Sequence, residues 1–511
     1  MSPRATLGVM ATMPTLSKRR VLGGLQCHKR LYLQLTAPDL AAAPSIAQNF
    51  IREQGHEVGR LARQAFPRGV AVDAAPDRLD VALMRTAALV RDPAVPAIFE
   101  ATFRHDDVLV RVDVLVRATA RRWRLLEVKS ATGVRAHDLT DVAIQRHVLA
   151  GCGLEIEAAA VMHINRDYVY AGGGLDITRL FSIVDVTREL RELEGELPRR
   201  LAAMRAALAG EAPPAIAPGP QCTSPRLCEF YDCCNAPLPD DHVAHLPGLH
   251  GRRLADLLAQ GIARIGDLPD DLPLKPHQEL ARRAVLEGRL LVTDGLANEL
   301  AVLGYPRAFM DFETLAPALP RFAGMRPYDG IPFQWSLHVV RAPGAAPEHY
   351  DFLPTDPGDP RRRFLEALAA AVGDRGPIVV YSEFEGRRLS DLAGWLPDLA
   401  PAAEGIRARL WDLLRVMRTH VYHPRFLGSF SLKRVVPALM PTLGYDGMEV
   451  AGGSEAGPTW DRLVRGRAEG SLTPAETARL ERALRDYCGQ DTRGLVELVG
   501  TLEGYSRSST A

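Results

Sequence analysis

Three groups of residues in this chain have the types and spacing to do chemistry. Glu127-Val128-Lys129 closes the apolar segment RRWRLLEVK, and Asp113 lies in the alternating segment before it, VLVRVDVLVRA. Alternate residues of a strand share a face, so Glu127 and Lys129 project together, with Asp113 as a candidate neighbour. Two carboxylates there can hold a divalent cation that polarises a phosphodiester, and the ammonium can orient the attacking water or stabilise the developing charge. Glu100 can add a third oxygen, and Gln145 sits on the helix that follows. The alternative is an exposed Glu-x-Lys pair on a strand edge. Against it, Leu125, Leu126 and Val128 make this a partly buried strand, and Lys129 is one of five lysines beside 57 arginines.

The second group is thiols. Seven cysteines in 511 residues are not a disulfide framework. Cys222, Cys228, Cys233 and Cys234 fall within 13 residues, and Cys27 lies far upstream in LQCHKRLYL. Clustered thiols read as metal or cluster ligands. Four thiolates suit tetrahedral zinc as well as an iron–sulfur cluster. Cys152 and Cys488 stand alone and read as buried, inert thiols. The third group is Asp311-Phe312-Glu313 at the end of a short apolar strand, with Phe312 turned into the core. Tyr487 and Asp491 are four apart in a helical pattern and so share a face. Between them, Glu385 follows a strand at the entry to a helix. Asp412 is a reserve acid, otherwise a helix cap or a solvent-facing residue.

The elements that must position these residues come next. Helical patterns run over 44–66, 78–93 and 138–150, and two strands joined by a polar turn cover ATFRHDDVLVRVDVLVRA and RRWRLLEVKSAT. GEAPPAIAPGP (210–220) reads as a linker, 240–300 as short helices, and 341–360 as a loop-rich insertion with an extended segment. Strands at RAFMDFET, near 332–341 and near 377–381 alternate with helices, so the chain reads as mixed α/β. At 511 residues it is too long for one compact core. Acidic and basic residues balance at 62 each, which argues against a generally cationic DNA-coating protein. Locally, residues 1–70 hold ten Lys or Arg against three Asp or Glu. No uncharged apolar run reaches the length of a membrane span. The N-terminus lacks the pattern of a secretory signal; a cytoplasmic location is expected, with Met10 and Met13 as alternative starts.

The order Glu100, Asp113, Glu127-x-Lys129, Gln145 resembles the PD-(D/E)xK nucleases of the RecB type, in particular the CRISPR-associated iron–sulfur exonucleases. The resemblance implies that Asp113 and Glu127 bind Mg²⁺ or Mn²⁺ and that Lys129 is the catalytic lysine. Glu100 and Gln145 would support them, with His56 as the upstream histidine. The tyrosine that usually follows the glutamine is absent from QRHVL. The same resemblance implies a [4Fe–4S] cluster on Cys27, Cys222, Cys228 and Cys234, with Cys233 the competing ligand and Zn²⁺ the alternative metal.

The set Asp311, Glu313, Glu385, Tyr487 and Asp491 resembles the DEDD 3′–5′ exonucleases of the DnaQ type, with an RNase H-like fold. It implies that the four acids bind two metal ions and that Tyr487 orients the water. Glu385 stands where Asp is usual, and Ser382 where Asn is common. The runs MDFETLAPALPRFAGMRPYDGIPFQWSLHV and HPRFLGSFSLKRVVPAL resemble a bacterial family that fuses the two nuclease types, a likeness covering almost the whole chain. It implies that Lys433 faces a substrate phosphate. LPGLHGRRLADLLAQGIARIGDLPD resembles a degenerate helix-hairpin-helix, with Arg252 and Arg253 beside a Gly-rich turn; a plain helical linker is the alternative.

The expected organisation is a nuclease domain at 14–238, a helical segment at 239–300 and an exonuclease domain at 301–511. The expected partner is DNA, single-stranded or with free ends, in repair, recombination or antiviral defence. RNA is the competing polymer, and a helicase or CRISPR adaptation protein a candidate protein partner. A non-catalytic nucleic-acid adaptor with one decayed nuclease fold is the reading of a different class.

Overall fold

The computed structural model describes residues 14–75, 77–235 and 237–508; Met10 and Met13 lie outside them. The architecture is mixed α/β and divides into two compact units. Among the described residues, the first comprises those up to 235 together with Pro317–Asp329. The second comprises Pro237–Ala316 and the described residues from Gly330 onward. Among the described residues no helix is long and apolar enough to cross a membrane.

The first unit is built on a seven-stranded sheet. Its strands are β1 (Leu16–Ser17), β2 (Val70–Ala71), β3 (Ala97–His105), β4 (Val108–Arg117), β5 (Arg122–Lys129), β6 (Glu155–Ile164) and β7 (Phe181–Asp185). They follow the order β2-β3-β4-β5-β6-β7, with β1 pairing in parallel beside β4. In β4, Val108, Val110, Val112 and Val114 are buried while Leu109, Arg111 and Asp113 are half-buried, as a period of two requires. The segment expected as one strand over 101–118 is a hairpin. Asp106 and Asp107 both take positive φ, 50° and 55°, which is the geometry of a two-residue hairpin turn.

Helices α1 (Lys18–Gln26), α2 (His28–Thr36), α3 (Ile46–Ala62), α4 (Leu79–Arg91), α5 (Ala136–Gly151), α6 (Ile177–Leu180), α7 (Leu190–Leu208) and α8 (Tyr231–Cys234) complete the unit. Ser17 caps α1, and a Ser45–Gln48 capping box starts α3. Gly24 lets α1 approach its neighbours closely: a Cβ there would meet Met204 Sδ of α7 at 2.7 Å and Leu31 at 2.8 Å.

The segment Pro317–Asp329 interrupts the expected 301–511 domain. Its Ala318 and Leu319 join a buried cluster with Val58, Ile164, Tyr168 and Leu180. Tyr328, at φ 65°, donates its hydroxyl to the Ser130 carbonyl at 2.7 Å. Burial of its apolar residues in the first unit outweighs continuity along the chain.

The second unit begins with α9 (Gly251–Ala259), α10 (Pro276–Glu287), β8 (Leu291–Val292) and α11 (Leu296–Leu300). Its main sheet has the order β11-β10-β9-β12-β13, formed by β9 (Arg307–Leu315), β10 (Ile331–Val340), β11 (Glu348–Phe352), β12 (Ile378–Val380) and β13 (Leu410–Asp412). β9 pairs antiparallel with β10 and parallel with β12. Around it lie α12 (Arg361–Val372), α13 (Phe384–Trp395), α14 (Ala400–Arg407), α15 (Leu413–His420), α16 (Leu432–Leu439), α17 (Gly453–Glu469) and α18 (Pro474–Ser508), with β14 (Val421–Tyr422) pairing β8. Gly457 of α17 faces β9, where a Cβ would lie 2.8 Å from the Thr314 carbonyl.

The segment 239–300, expected as a separate body, belongs to this second core. Val243, Leu246, Leu257 and Ile265 are buried in one cluster with Phe309, Phe426 and Leu495. The reason is apolar periodicity in short helices, which cannot bury their own faces and so need a neighbouring layer.

Candidate active sites

In the first unit the strand acids meet where a ladder ends. Pairing of β4 with β5 runs to Val114–Leu126, and one residue on, Asp113 Oδ2 accepts the Val128 N–H at 2.7 Å. Glu127 and Lys129 project from β5 toward α5, which presents Asp141 and Gln145, four apart. Lys129 Nζ lies 2.7 Å from Glu127 Oε1 and 2.6 Å from Asp141 Oδ2. Lys18, the first residue of α1, donates to both Glu127 oxygens at 3.0 and 3.1 Å and lies 2.8 Å from Asp141 Oδ1. Gln145 Nε2 reaches Glu127 Oε2 at 2.6 Å and Asp141 Oδ1 at 3.1 Å, while its own Oε1 is buried without a partner.

Burial dominates the ionisation of this cluster. It pushes Glu127 up to about 7, helped by the charges of Asp113 and Asp141 and opposed by Lys18 and Lys129. Burial also raises Asp113, against Lys18. Asp141 falls well below the usual carboxylate range because the pull of Lys18 and Lys129, with its hydrogen bonds, outweighs its burial. Both lysines are raised: burial is the largest influence and opposes this, but the Glu127 and Asp141 charges overcome it.

Glu100, expected just before the first strand, lies inside β3. There it takes φ 55° and drops out of the ladder between Phe99–Val114 and Ala101–Val112. Its carboxylate pairs with Arg63 at 2.7 Å. His56 is exposed on α3. Sequence reasoning missed Lys18 and Asp141. The scarcity of lysine was a signal for the first, and the four-residue spacing to Gln145 for the second.

The thiols Cys27, Cys222, Cys228 and Cys234 line one pocket, whereas Cys233 is exposed. Cys27 sits at a break between α1 and α2, with extended backbone at φ −164°, and the others come from the turns around α8. Burial raises Cys228 and Cys234. Lys29, Arg30, Phe230 and Tyr231 line the same pocket. Cys152, expected as buried, is exposed because it ends α5 in a surface turn.

In the second unit Asp311 and Glu313 of β9, Glu385 of α13, and Tyr487 and Asp491 of α18 come together. α18 is pinned to β10 by Gln334 Nε2 donating to the Leu484 carbonyl at 2.8 Å and by Ser336 and Thr492 hydroxyls 2.7 Å apart. Cys488 is buried as expected but lies among the acids: its Sγ is 3.5 Å from Asp311 Oδ2. Ligand atoms of Asp311, Glu313 and Cys488 lie within 4.8 Å of one another. Tyr445 donates to Asp491 Oδ1 at 2.5 Å, and Tyr487 also hydrogen-bonds Asp491. Lys433, on the first turn of α16, donates to the Ala451 carbonyl and stands 5.2 Å from the Tyr487 ring centroid.

Burial, then mutual repulsion, raises these acids. Asp311 and Glu313 lie well above the carboxylate range, first through burial and next through the Asp491 charge; Lys433 opposes at Glu313. Burial pushes Glu385 up to about 8 and Asp491 to about 6, the latter against hydrogen bonds from Tyr445 and Tyr487. Glu385 is 3% exposed and its Oε2 has no partner. Ser382, two residues after β12, is held at φ 145°, a backbone region that costs on the order of 1–3 kcal/mol for a residue with a Cβ. Its Oγ accepts from Phe384 N at 3.1 Å, fixing the turn that carries Glu385. Asp412 caps α15, accepting from Leu414 and Arg415 N–H groups.

Asp311, Glu385, Tyr487 and Asp491 line a cleft of about 920 Å³. Its walls also include Gly248, His277, Arg418 and Lys433, so the Gly-rich turn of the 239–300 segment borders this site. Arg252 is 95% exposed at its side chain, and Arg253 donates to the Pro273 carbonyl at 2.5 Å.

A family model described as a domain of unknown function (DUF2779) matches residues 308–431. The match takes in Asp311, Glu313 and Glu385 and ends before Lys433, Tyr487 and Asp491. No curated protein matches the chain.

Proposed function

We propose that the chain is a metal-dependent nuclease with two phosphodiesterase sites, a RecB-like PD-(D/E)xK site in the first unit and a DEDDy-like, RNase H-like 3′–5′ exonuclease site in the second. One observation carries the reading: four carboxylates, the half-buried Asp311 and the buried Glu313, Glu385 and Asp491, converge, and three of them, Asp311, Glu385 and Asp491, line a cleft of about 920 Å³. Repulsion among them and the unpartnered Glu385 Oε2 fit a divalent cation, Mg²⁺ or Mn²⁺, for which oxygen donors are the ordinary ligands. When bound, such an ion polarises the phosphodiester and activates water. Tyr487, hydrogen-bonded to Asp491, is positioned to orient that water. Lys433 and Arg418 offer cationic groups to the phosphate backbone. In the first unit Asp113 and Glu127 would hold the ion, with Lys129 as the catalytic ammonium and Gln145 as support.

The thiol set fits a thiophilic metal. The resemblance favours a [4Fe–4S] cluster, with Zn²⁺ as the alternative. Iron, sulfide and zinc analysis of anaerobically purified protein separates the two.

The test is cleavage of end-labelled single-stranded DNA, and of RNA of the same sequence, with Mg²⁺ or Mn²⁺. Wild type, Lys129→Ala and Asp311→Ala are compared. Each variant is expected to lose a distinct part of the activity by about 10²–10³-fold. DNA is the expected polymer, and preferential cleavage of RNA would reassign the substrate. Binding without cleavage by the wild type would sink the nuclease reading and leave a nucleic-acid adaptor.

A further inference from the structure

Lys18, like Asp141, is a residue of the first site that its motif does not account for. β1 pairs with β4 at Leu16–Val108 and Ser17–Leu109, so the chain enters the sheet immediately before α1. Ser17 then caps α1, accepting the Arg20 N–H at 3.4 Å, and Lys18 is thereby anchored at both ends of a two-residue step. Its ammonium chelates Glu127, 3.0 Å from Oε1 and 3.1 Å from Oε2, and lies 2.8 Å from Asp141 Oδ1. Lys129 and Gln145 take the remaining directions. Glu127 Oε1 and Asp141 Oδ2 meet Lys129, and Glu127 Oε2 and Asp141 Oδ1 meet Gln145 Nε2.

Every oxygen of these two carboxylates is engaged, and Lys18 holds both oxygens of Glu127. A divalent ion that takes Glu127 Oε1, whose two partners are Lys18 and Lys129, must therefore displace an ammonium. Lysine suits such an exchange, being a compact charge on a flexible stem, where a guanidinium would lock the carboxylate in a planar fork. The Lys18 side chain retains 21% of its exposure, against 5% for Glu127, so it has a way out to solvent. Gln145 is fully buried with Oε1 unpartnered, an acceptor facing a cluster that already uses its donor.

We propose that Lys18 holds the Glu127 oxygens that a divalent cation in the first site would take, and that metal binds by displacing its ammonium from Glu127. The proposal rests on the metal-dependent reading of this site. Lys18 is then a positioning residue: it keeps Glu127 and Asp141 in place while no metal is bound and lowers the apparent metal affinity by the cost of its own departure. The affinity of a site that is competent only part of the time falls by that fraction.

The experiment titrates Mn²⁺ calorimetrically into the full-length chain carrying Asp311→Asn, with Lys18, Lys18→Met or Lys18→Arg, and with Glu127→Gln to identify the first-site signal. Lys18→Met keeps the stem and removes the charge, and is expected to tighten first-site binding about tenfold or more. Lys18→Arg is expected to tighten nothing. Unchanged or weaker binding in Lys18→Met would overturn the exchange while leaving the metal site standing. No Glu127-dependent heat in any variant would overturn the metal reading and the exchange with it. A second measurement needs no substitution at Lys18: acetylation of that amine, followed by peptide mass spectrometry. Saturating Mn²⁺ is expected to speed Lys18 labelling several-fold. Equal protection with and without bound Mn²⁺ would overturn the displacement.

Discussion

In the first unit Glu127 and Asp141 lie between two ammonium groups, and Gln145 donates to both. In the second unit Asp311, Glu313, Glu385 and Asp491 face one another, with Lys433 acting on Glu313 and Asp491 and Arg387 on Glu385. Both clusters are buried. The first has its counter-charges in its own side chains; in the second, burial and mutual repulsion favour the protonated carboxyls. Buried carboxylates without partners stay neutral because ionising them in a low-dielectric site is costly. The difference teaches that one sequence can carry two acid clusters whose charge is balanced in different ways, by ammonium groups in one and by raised carboxyl pKa values in the other.

The largest expected effect is a difference in sign between the two. Asp141→Asn takes a buried counter-charge from two half-buried lysines, and is expected to destabilise the first unit by about 3–5 kcal/mol. Asp311→Asn relieves repulsion in the second unit, and with no divalent cation is expected to stabilise it by about 1–2 kcal/mol. Hydrogen exchange read peptide by peptide, in chelator, separates the units. A loss of protection in the second unit on Asp311→Asn would break the comparison.

A pH series sharpens it. A carboxylate raised in the folded state contributes stability that is full below its unfolded pKa and is lost as pH rises through its folded pKa. For Glu385, at about 8 when folded against an ordinary 4.5, the loss between pH 5 and 7 is at most about 3 kcal/mol. Asp311, Glu313 and Asp491 act in the same direction. In the first unit Glu127 and Asp113 do so as well, but Asp141 is depressed, and its contribution is lost only as pH falls below about 3.8. The second unit should therefore lose stability more steeply from pH 5 to 7, and saturating Mg²⁺ or Mn²⁺ should flatten that slope. Parallel slopes with and without cation would contradict the account.

The smallest expected effect is at Glu100. It is about one-third exposed and paired with an equally exposed Arg63, so Glu100→Gln should change stability by less than about 1 kcal/mol. First-site Mn²⁺ affinity should shift far less than on Glu127→Gln. A loss comparable to Glu127→Gln would make Glu100 a ligand.

Much of the candidate chemistry was legible along the chain because it is local. Glu127 and Lys129 are two apart on a strand, Asp311 and Glu313 likewise, and Tyr487 and Asp491 one helical turn apart; spacing alone puts each pair on one face. The mixed α/β class followed from the same periodicities. The hairpin at Asp106-Asp107 was missed because Asp-Asp lacks the glycine that usually marks such a turn. The burial of 317–329 in the first unit had no local signal at all, since a short apolar run is the same whichever core it joins.

By itself the sequence determined which side chains share a strand face or a helix turn, and that lysine is rare, which marks Lys18, Lys29, Lys129, Lys275 and Lys433 alike. Only the tertiary structure decided which of those pairs meet. It brought Lys18 onto Glu127 across 109 positions, set Cys488 against Asp311 across 177, and closed Cys27 onto the thiols beyond residue 220. It also decided that one acid cluster is neutralised from within and the other is not. The physical reason is that periodicity governs direction over a few residues. Charge compensation depends on burial and on distances of a few ångströms between segments that only the packed core brings together.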